Sequence, residues 1–301
     1  MTGNRILTTS RGTNAGAFTP ADWLTFSSLS LIWGSSFLLM AIGLDSFRPG
    51  LVTLLRLASA SLFFAALPAV RRTKLDREDW PRILALSISW AALPFTLFPI
   101  AQQWIDSGVA GMLNGTTPIF AAILTAVLLR SLPGRVQMFG VVVGFVGVAL
   151  ITSPTTGGGS RAMLGIALGL LAAASYGLSV TIAVPVLQKY GTLPVMGRMM
   201  WLAVLITAPL GLLEIDGSAF SWASLTATLA AGFLGTGVAF ILAGRLARRV
   251  GSTRGSFVAY VIPVVALVLG AIVRDERVAP VALAGVALVL LGAFLASRRE
   301  S

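Results

Sequence analysis

The chain has 301 residues, 56% of them apolar and only 11% charged, with no His and no Cys. Soluble domains carry roughly a quarter charged residues, so a soluble globule is excluded; so are metal sites built on His or Cys ligands, disulfide scaffolds and His-based catalytic triads or dyads. The net charge of +11 comes from basic residues spread between apolar runs, which points to an anionic membrane surface as partner and not to nucleic acid.

Residues 1–20 are polar, hold Arg5 and Arg11 and lack an apolar h-region, so they read as a tail and not as a cleaved signal peptide. A membrane span needs roughly 20 apolar residues. Ten candidates follow: Trp23–Leu44, Leu51–Val70, Arg82–Gln102, Val109–Leu129, Val136–Ile151, Met163–Leu187, Leu193–Leu213, Leu225–Ala243, Gly255–Val273 and Val278–Ala296. The fifth and tenth are short, and the third carries Pro94 and Pro99. Residues 153–161, with Gly157, Gly158 and Gly159, link the fifth to the sixth, and residues 298–301 form a second short tail. With an even number of spans both termini lie on one side. That side collects sixteen Lys and Arg, the other only Arg48, Arg161, Arg274 and Arg277, which predicts cytoplasmic termini.

The chain repeats itself. A shift of 145 residues carries Ser107 onto Ser252, Pro118 onto Pro263, Gly140 onto Gly285 and Gly147 onto Gly292. Trp33-Gly34 meets Tyr176-Gly177 at a shift of 143, and Arg56 answers Arg198. Residues 21–152 and 162–297 are therefore two copies of five spans each. Five is odd, so the second copy enters the membrane from the opposite face, an inverted-topology repeat of the kind found in secondary transporters. The fold class expected is an all-α membrane protein of ten helices in two inverted five-helix repeats.

The chain resembles the drug/metabolite transporter superfamily, in its ten-span EamA-type branch. The resemblance is carried by Trp33-Gly34-Ser35-Ser36-Phe37, Arg56, Gly235-Thr236-Gly237, Gly251, Ser256, Tyr260, Pro263, Glu276-Arg277, Gly285 and Gly292. It implies a central cavity lined by spans one, three, four, six, eight and nine, with five and ten at the periphery. Many relatives carry a Lys where this chain has Ala41, and Ser131 stands opposite Glu276, where an acidic residue would complete the first-half pair.

Candidate substrate contacts are Trp33, Ser36, Trp90, Asn114, Thr117, Tyr176, Ser179, Thr236 and Tyr260, polar or aromatic groups at mid-span depth. Core packing, an interfacial aromatic belt, or helix–helix hydrogen bonding for Asn114, is the alternative for each. Pro118 and Pro263 remove a backbone donor at symmetric places and are candidate hinges. Arg56 and Arg198 are the charges inside spans and read as gating or structural groups; snorkelling or helix capping would also satisfy them. Glycines 140, 144, 147, 165 and 169 allow close helix contact. The acids fall at span ends, in loops and in tails, so no buried proton relay is expected.

These features predict no enzyme, no cofactor and no metal. They predict a multi-pass carrier in a bacterial cytoplasmic (inner) membrane, surrounded by lipid and monomeric or dimeric. It would export small organic metabolites such as amino acids by alternating access. Multidrug or organic-cation efflux is the alternative; a membrane-embedded enzyme or a channel are the remaining classes.

Overall fold

A computed structural model describes residues 18–128, 134–153, 159–250 and 258–296. The readings placed on Arg5, Arg11, Ser131, Gly157, Gly158, Gly251, Ser252 and Ser256, and four of the sixteen basic residues counted on the side of the termini besides Arg5 and Arg11 (Arg130, Arg254, Arg298 and Arg299), lie outside them. Among the described residues the chain is all α-helical in architecture, without strands. Eight helices are long and apolar enough to cross a membrane: Pro20–Leu44, Pro49–Ala66, Arg77–Ala101, Ser107–Leu128, Arg135–Thr152, Gly159–Tyr190, Thr192–Leu213 and Trp222–Ala247. Two shorter apolar helices, Val258–Arg274 and Pro280–Leu295, take the ninth and tenth places. The spans are numbered here in that order.

Local chemistry starts the spans. Thr19 and Asp22 form a reciprocal capping box on span one, with Pro20 at the first helical position, where a missing N–H costs nothing. Pro49 opens span two in the same way, and the Gly50 N–H donates at 2.5 Å to the carboxylate of Glu214, the residue that caps the end of span seven. Span four has its first N–H groups, those of Ser107 and Gly108, bound by the two Glu276 carboxylate oxygens at 2.9 and 2.8 Å. A carboxylate there satisfies orphan donors and the positive end of the helix dipole together.

The packing is reciprocal between the halves. Spans two and seven, four and nine, and five and ten each pack against their own repeat mates. Span one packs on nine and eight; its mate, span six, packs on four and three. Two observations fix how close the pairs come. A Cβ on Gly147 would strike the Val289 backbone N at 2.6 Å, so spans five and ten meet backbone to backbone. A Cβ on Gly165 would come within 3.1 Å of the Ala101 carbonyl of span three. Both glycine sets are thus used inside the molecule. Large apolar side chains such as Leu24, Leu62, Leu213 and Ile272 are more than two-thirds exposed, as lipid-facing residues are.

The repeat extends to a feature the residue pattern does not announce. Spans three and eight each contain six residues of π-helix, Ser87–Ala92 and Phe233–Val238, and a shift of 146 residues carries one onto the other. In each the ladder skips to a five-residue step, Leu93 N–H to Ile88 O and Ala239 N–H to Leu234 O.

Candidate functional site

The two π-turns face each other across the centre of the bundle, held by cross-repeat hydrogen bonds. The Trp33 indole Nε1 donates to the Gly235 carbonyl at 3.1 Å, tying span one to the π-turn of span eight. The Ser175 hydroxyl donates to the Ser89 carbonyl at 2.7 Å, tying span six to the π-turn of span three. Carbonyls released by the widened ladder thus find donors on the opposite half.

Between these ties lies a cavity of about 230 Å³. Its walls are Trp33, Ser36, Phe37 and Met40 of span one, Arg56 of span two, Trp90, Phe95 and Phe98 of span three, and Asn114 and Thr117 of span four. Tyr176 and Val180 of span six, Gly235 and Phe240 of span eight, and Ala259 and Ile262 of span nine close it. Trp33 and Trp90 each meet Phe240 edge-on, with centroids 6.1 and 6.0 Å away, and Tyr176 stacks on Phe98 at 6.2 Å. The Arg56 guanidinium lies over the Phe95 ring at 4.0 Å.

The cavity ends at a plug. Phe37 and Phe98 meet edge to face at 5.3 Å, and the Gln102 amide donates to the Phe37 carbonyl at 3.2 Å. Beyond it a polar vestibule of about 710 Å³ opens among Asp45, Arg48, Gln103, Asp106, Glu214, Arg274 and Glu276. Arg274 makes a two-pronged pair with Asp45, both contacts 2.9 Å, joining spans nine and one at this end. Burial first, and the neighbouring Glu276 second, push the Asp106 carboxyl above the usual carboxylate range. At the opposite end Arg249 pairs with Asp22, and Lys189 reaches Asp76 and Asp79 at 2.7 Å. Hydrogen bonds from Lys189 and then Tyr190 hold the Asp76 carboxyl below the usual range.

Of the residues singled out from sequence, Trp33, Ser36, Trp90, Asn114, Thr117 and Tyr176 meet in this one cavity. Three do not line it. Ser179 is fully buried, donates to the Ser175 carbonyl and lies 2.8 Å from the Ser89 hydroxyl, so it fastens span six to the π-turn. Thr236 is fully buried inside the second π-turn, with its hydroxyl unpartnered among the described residues. Tyr260 is half-buried and outside the lining.

The two prolines part company. Pro118 leaves the Asn114 carbonyl without its helical donor; the Thr117 hydroxyl takes that carbonyl at 2.8 Å, and span four breaks at Gly115 and Thr116. Pro263 stays within a continuous helix and packs against Gly115. The two arginines part as well. Arg198 donates to the Val70 and Thr73 carbonyls at 2.8 and 3.1 Å, sealing the C-terminus of the short helix Pro68–Arg72. Arg56 is in the cavity wall. Sequence reasoning did not single out Phe95, Phe98 and Phe240 as contacts. Phe95 and Phe98 flank Pro94 and Pro99, and that clustering on one face was the available signal.

Comparison with known proteins gives the setting for this geometry. Residues 23–153 and 163–298 each match the EamA-like transporter family. A probable terminal-alkyne amino-acid exporter of Streptantibioticus cattleyicolor is 30% identical over 89% of this chain and 90% of its own length. A probable amino-acid metabolite efflux pump of Escherichia coli is 26% identical over 88% and 91%. A solved crystal structure superposes with a TM-score of 0.65, at 18% identity, over 93% of this chain and 97% of its own, a likeness of fold. The chain belongs to the EamA-like transporter family, and it is a multi-pass membrane protein.

Proposed function

Given that membership, we propose that the chain is a secondary carrier exporting small organic metabolites, amino acids among them, across a bacterial cytoplasmic membrane. One observation carries the reading: a small aromatic-walled cavity built by spans of both repeats, separated by the Phe37–Phe98 plug from a polar vestibule. Its volume of about 230 Å³ falls below the roughly 300–1,000 Å³ of drug-sized sites and suits a solute of amino-acid size. The outward direction and the amino-acid class are drawn from the relatives named as exporters. Sixteen basic residues on the side of the termini support cytoplasmic termini.

Transport would proceed by alternating access. The vestibule end and the opposite end are each fastened by ion pairs and helix caps, and the plug yields as those at its own end part. Among the described residues no Asp or Glu lines the cavity, so no carboxylate of theirs trades its proton for substrate there. That favours facilitated diffusion or solute exchange over proton antiport. The same feature weighs against organic-cation efflux.

Counterflow in proteoliposomes tests the reading. Purified chain should exchange labelled amino acid against a saturating internal pool of the same solute, with saturable kinetics. Flux that never saturates would mark a channel, and absence of exchange for every amino acid tried would remove the proposal.

A further inference from the structure

We infer that Arg56 is the anchor for a substrate carboxylate, and that the cavity selects an apolar monocarboxylate without needing an α-ammonium group. The inference rests on the cavity being the substrate site, as proposed above.

Arg56 carries a charge without an ion-pair partner among the described residues. Arg56 is 8% exposed, and its guanidinium remains protonated in any protein environment. Among the described residues its Nε has no hydrogen-bond partner, and the guanidinium makes no ion pair with any of them. The acids that could have served are committed elsewhere. Asp22 binds Arg249, Asp45 binds Arg274, and Glu214 and Glu276 cap spans two and four. The Phe95 ring at 4.0 Å answers the charge with a quadrupole, which is weak repayment for desolvation. Arg198 shows what a structural arginine does in this fold: it donates to two carbonyls. Arg56 instead presents its group to a cavity.

A buried, unpaired cation is stabilised by an anion that enters the cavity, and the planar guanidinium fork matches a carboxylate by two parallel bonds. One Arg supplies one charge, which suits one negative charge on the solute. The remaining walls are Trp33, Trp90, Phe98 and Phe240, with the Asn114 amide as a neutral polar group. None of them is an acid. An ammonium group on the solute therefore finds ring faces and an amide but no counter-ion, and adds little to binding.

Three solutes with one tail separate the groups: leucine carries both, 4-methyl-2-oxopentanoate only the carboxylate, and 3-methylbutylamine only the amine. Binding to the purified full chain in detergent is read by tryptophan fluorescence, since Trp33 and Trp90 line the cavity, and by the rise in melting temperature. Leucine and the oxo acid should bind with affinities within about tenfold of each other, while the amine shows none in that range. Arg56→Gln should lower the affinity for both acids by about ten- to a hundredfold. It should also melt, unliganded, no lower than the parent, because it removes an unpaired charge. Arg56→Lys should fall between the two. Amine binding as tight as acid binding, no binding of either acid, or oxo-acid affinity unchanged in Arg56→Gln overturns the inference. If Arg56→Gln does not fold, the three-solute comparison on the parent chain decides alone. Oxo-acid binding in a chain without counterflow would sink the transport reading and leave the anchor standing. Counterflow of the amine as fast as the acid would sink the anchor and leave transport.

Discussion

Arg56 and Arg198 occupy matching places in the two repeats, yet the fold spends them differently. Arg198 closes a helix end. Arg198→Met should strip two charge-assisted bonds and lower stability by about 1–3 kcal/mol in thermal denaturation, with the KM of counterflow unchanged. Asp106 gives a pH signature. Burial and Glu276 raise its pKa above the ordinary 3.8, so the folded chain holds this proton more tightly than the unfolded one. Its ionised form is therefore penalised in the folded state, and that penalty fades as pH falls through the raised pKa toward the ordinary value. Asp106→Asn should melt higher than the parent near neutral pH, and the gap should close on acidification. Much of the cavity was legible at this scale, because a Trp, an Asn or an Arg at mid-span depth has few reasons to be there. Ser179 misleads because a small hydroxyl can satisfy itself on its own helix or a neighbour, and Thr236 because it is buried within the π-turn; composition distinguishes neither from a cavity-facing contact. The phenylalanines were hidden by the opposite problem: any Phe in a span reads as core or lipid contact.

Among elements, the apolar helices follow from span length, the Pro and Gly punctuation and the repeat; the packing of spans two on seven, four on nine and five on ten is visible only in the structure. The π-turns do not. A one-residue widening of the ladder leaves no composition trace, and SISWAA and FLGTGV share no residue pattern. The one clue is the repeat register, which runs at 143 for Trp33 and Tyr176, at 145 for Pro118 and Pro263, and at 146 for the π-turns. Their carbonyls, bound by Trp33 and by Ser175 on opposite halves, make them the points where the halves are fastened across the cavity. Deleting Ile88 lets span three return to the four-residue step and withdraws the Ser89 carbonyl from Ser175. Counterflow should fall at least about tenfold while the chain still inserts and binds detergent as a monodisperse species; unchanged exchange would show that the π-turn is not a working part.

At the scale of the molecule, the two ends differ in what holds them. The vestibule end relies on half-buried carboxylate caps from Glu214 and Glu276 together with Arg274–Asp45; the other relies on Arg249–Asp22 and the Lys189 cluster. The absence of Cys from the sequence makes the orientation directly measurable. In intact cells a membrane-impermeant maleimide should label Ala219→Cys, between spans seven and eight, and should reach Lys74→Cys only after permeabilisation. The reverse pattern would invert the topology.

The aromatic cavity is proposed above as the place where transported solute sits. Asn114 lines it, so Asn114→Cys reports on occupancy. The measurement is the rate of maleimide labelling of that single cysteine against substrate concentration, set beside the counterflow of the same preparation. Protection should saturate, with its half-point at the KM for counterflow. Labelling that ignores saturating substrate while exchange continues would contradict it.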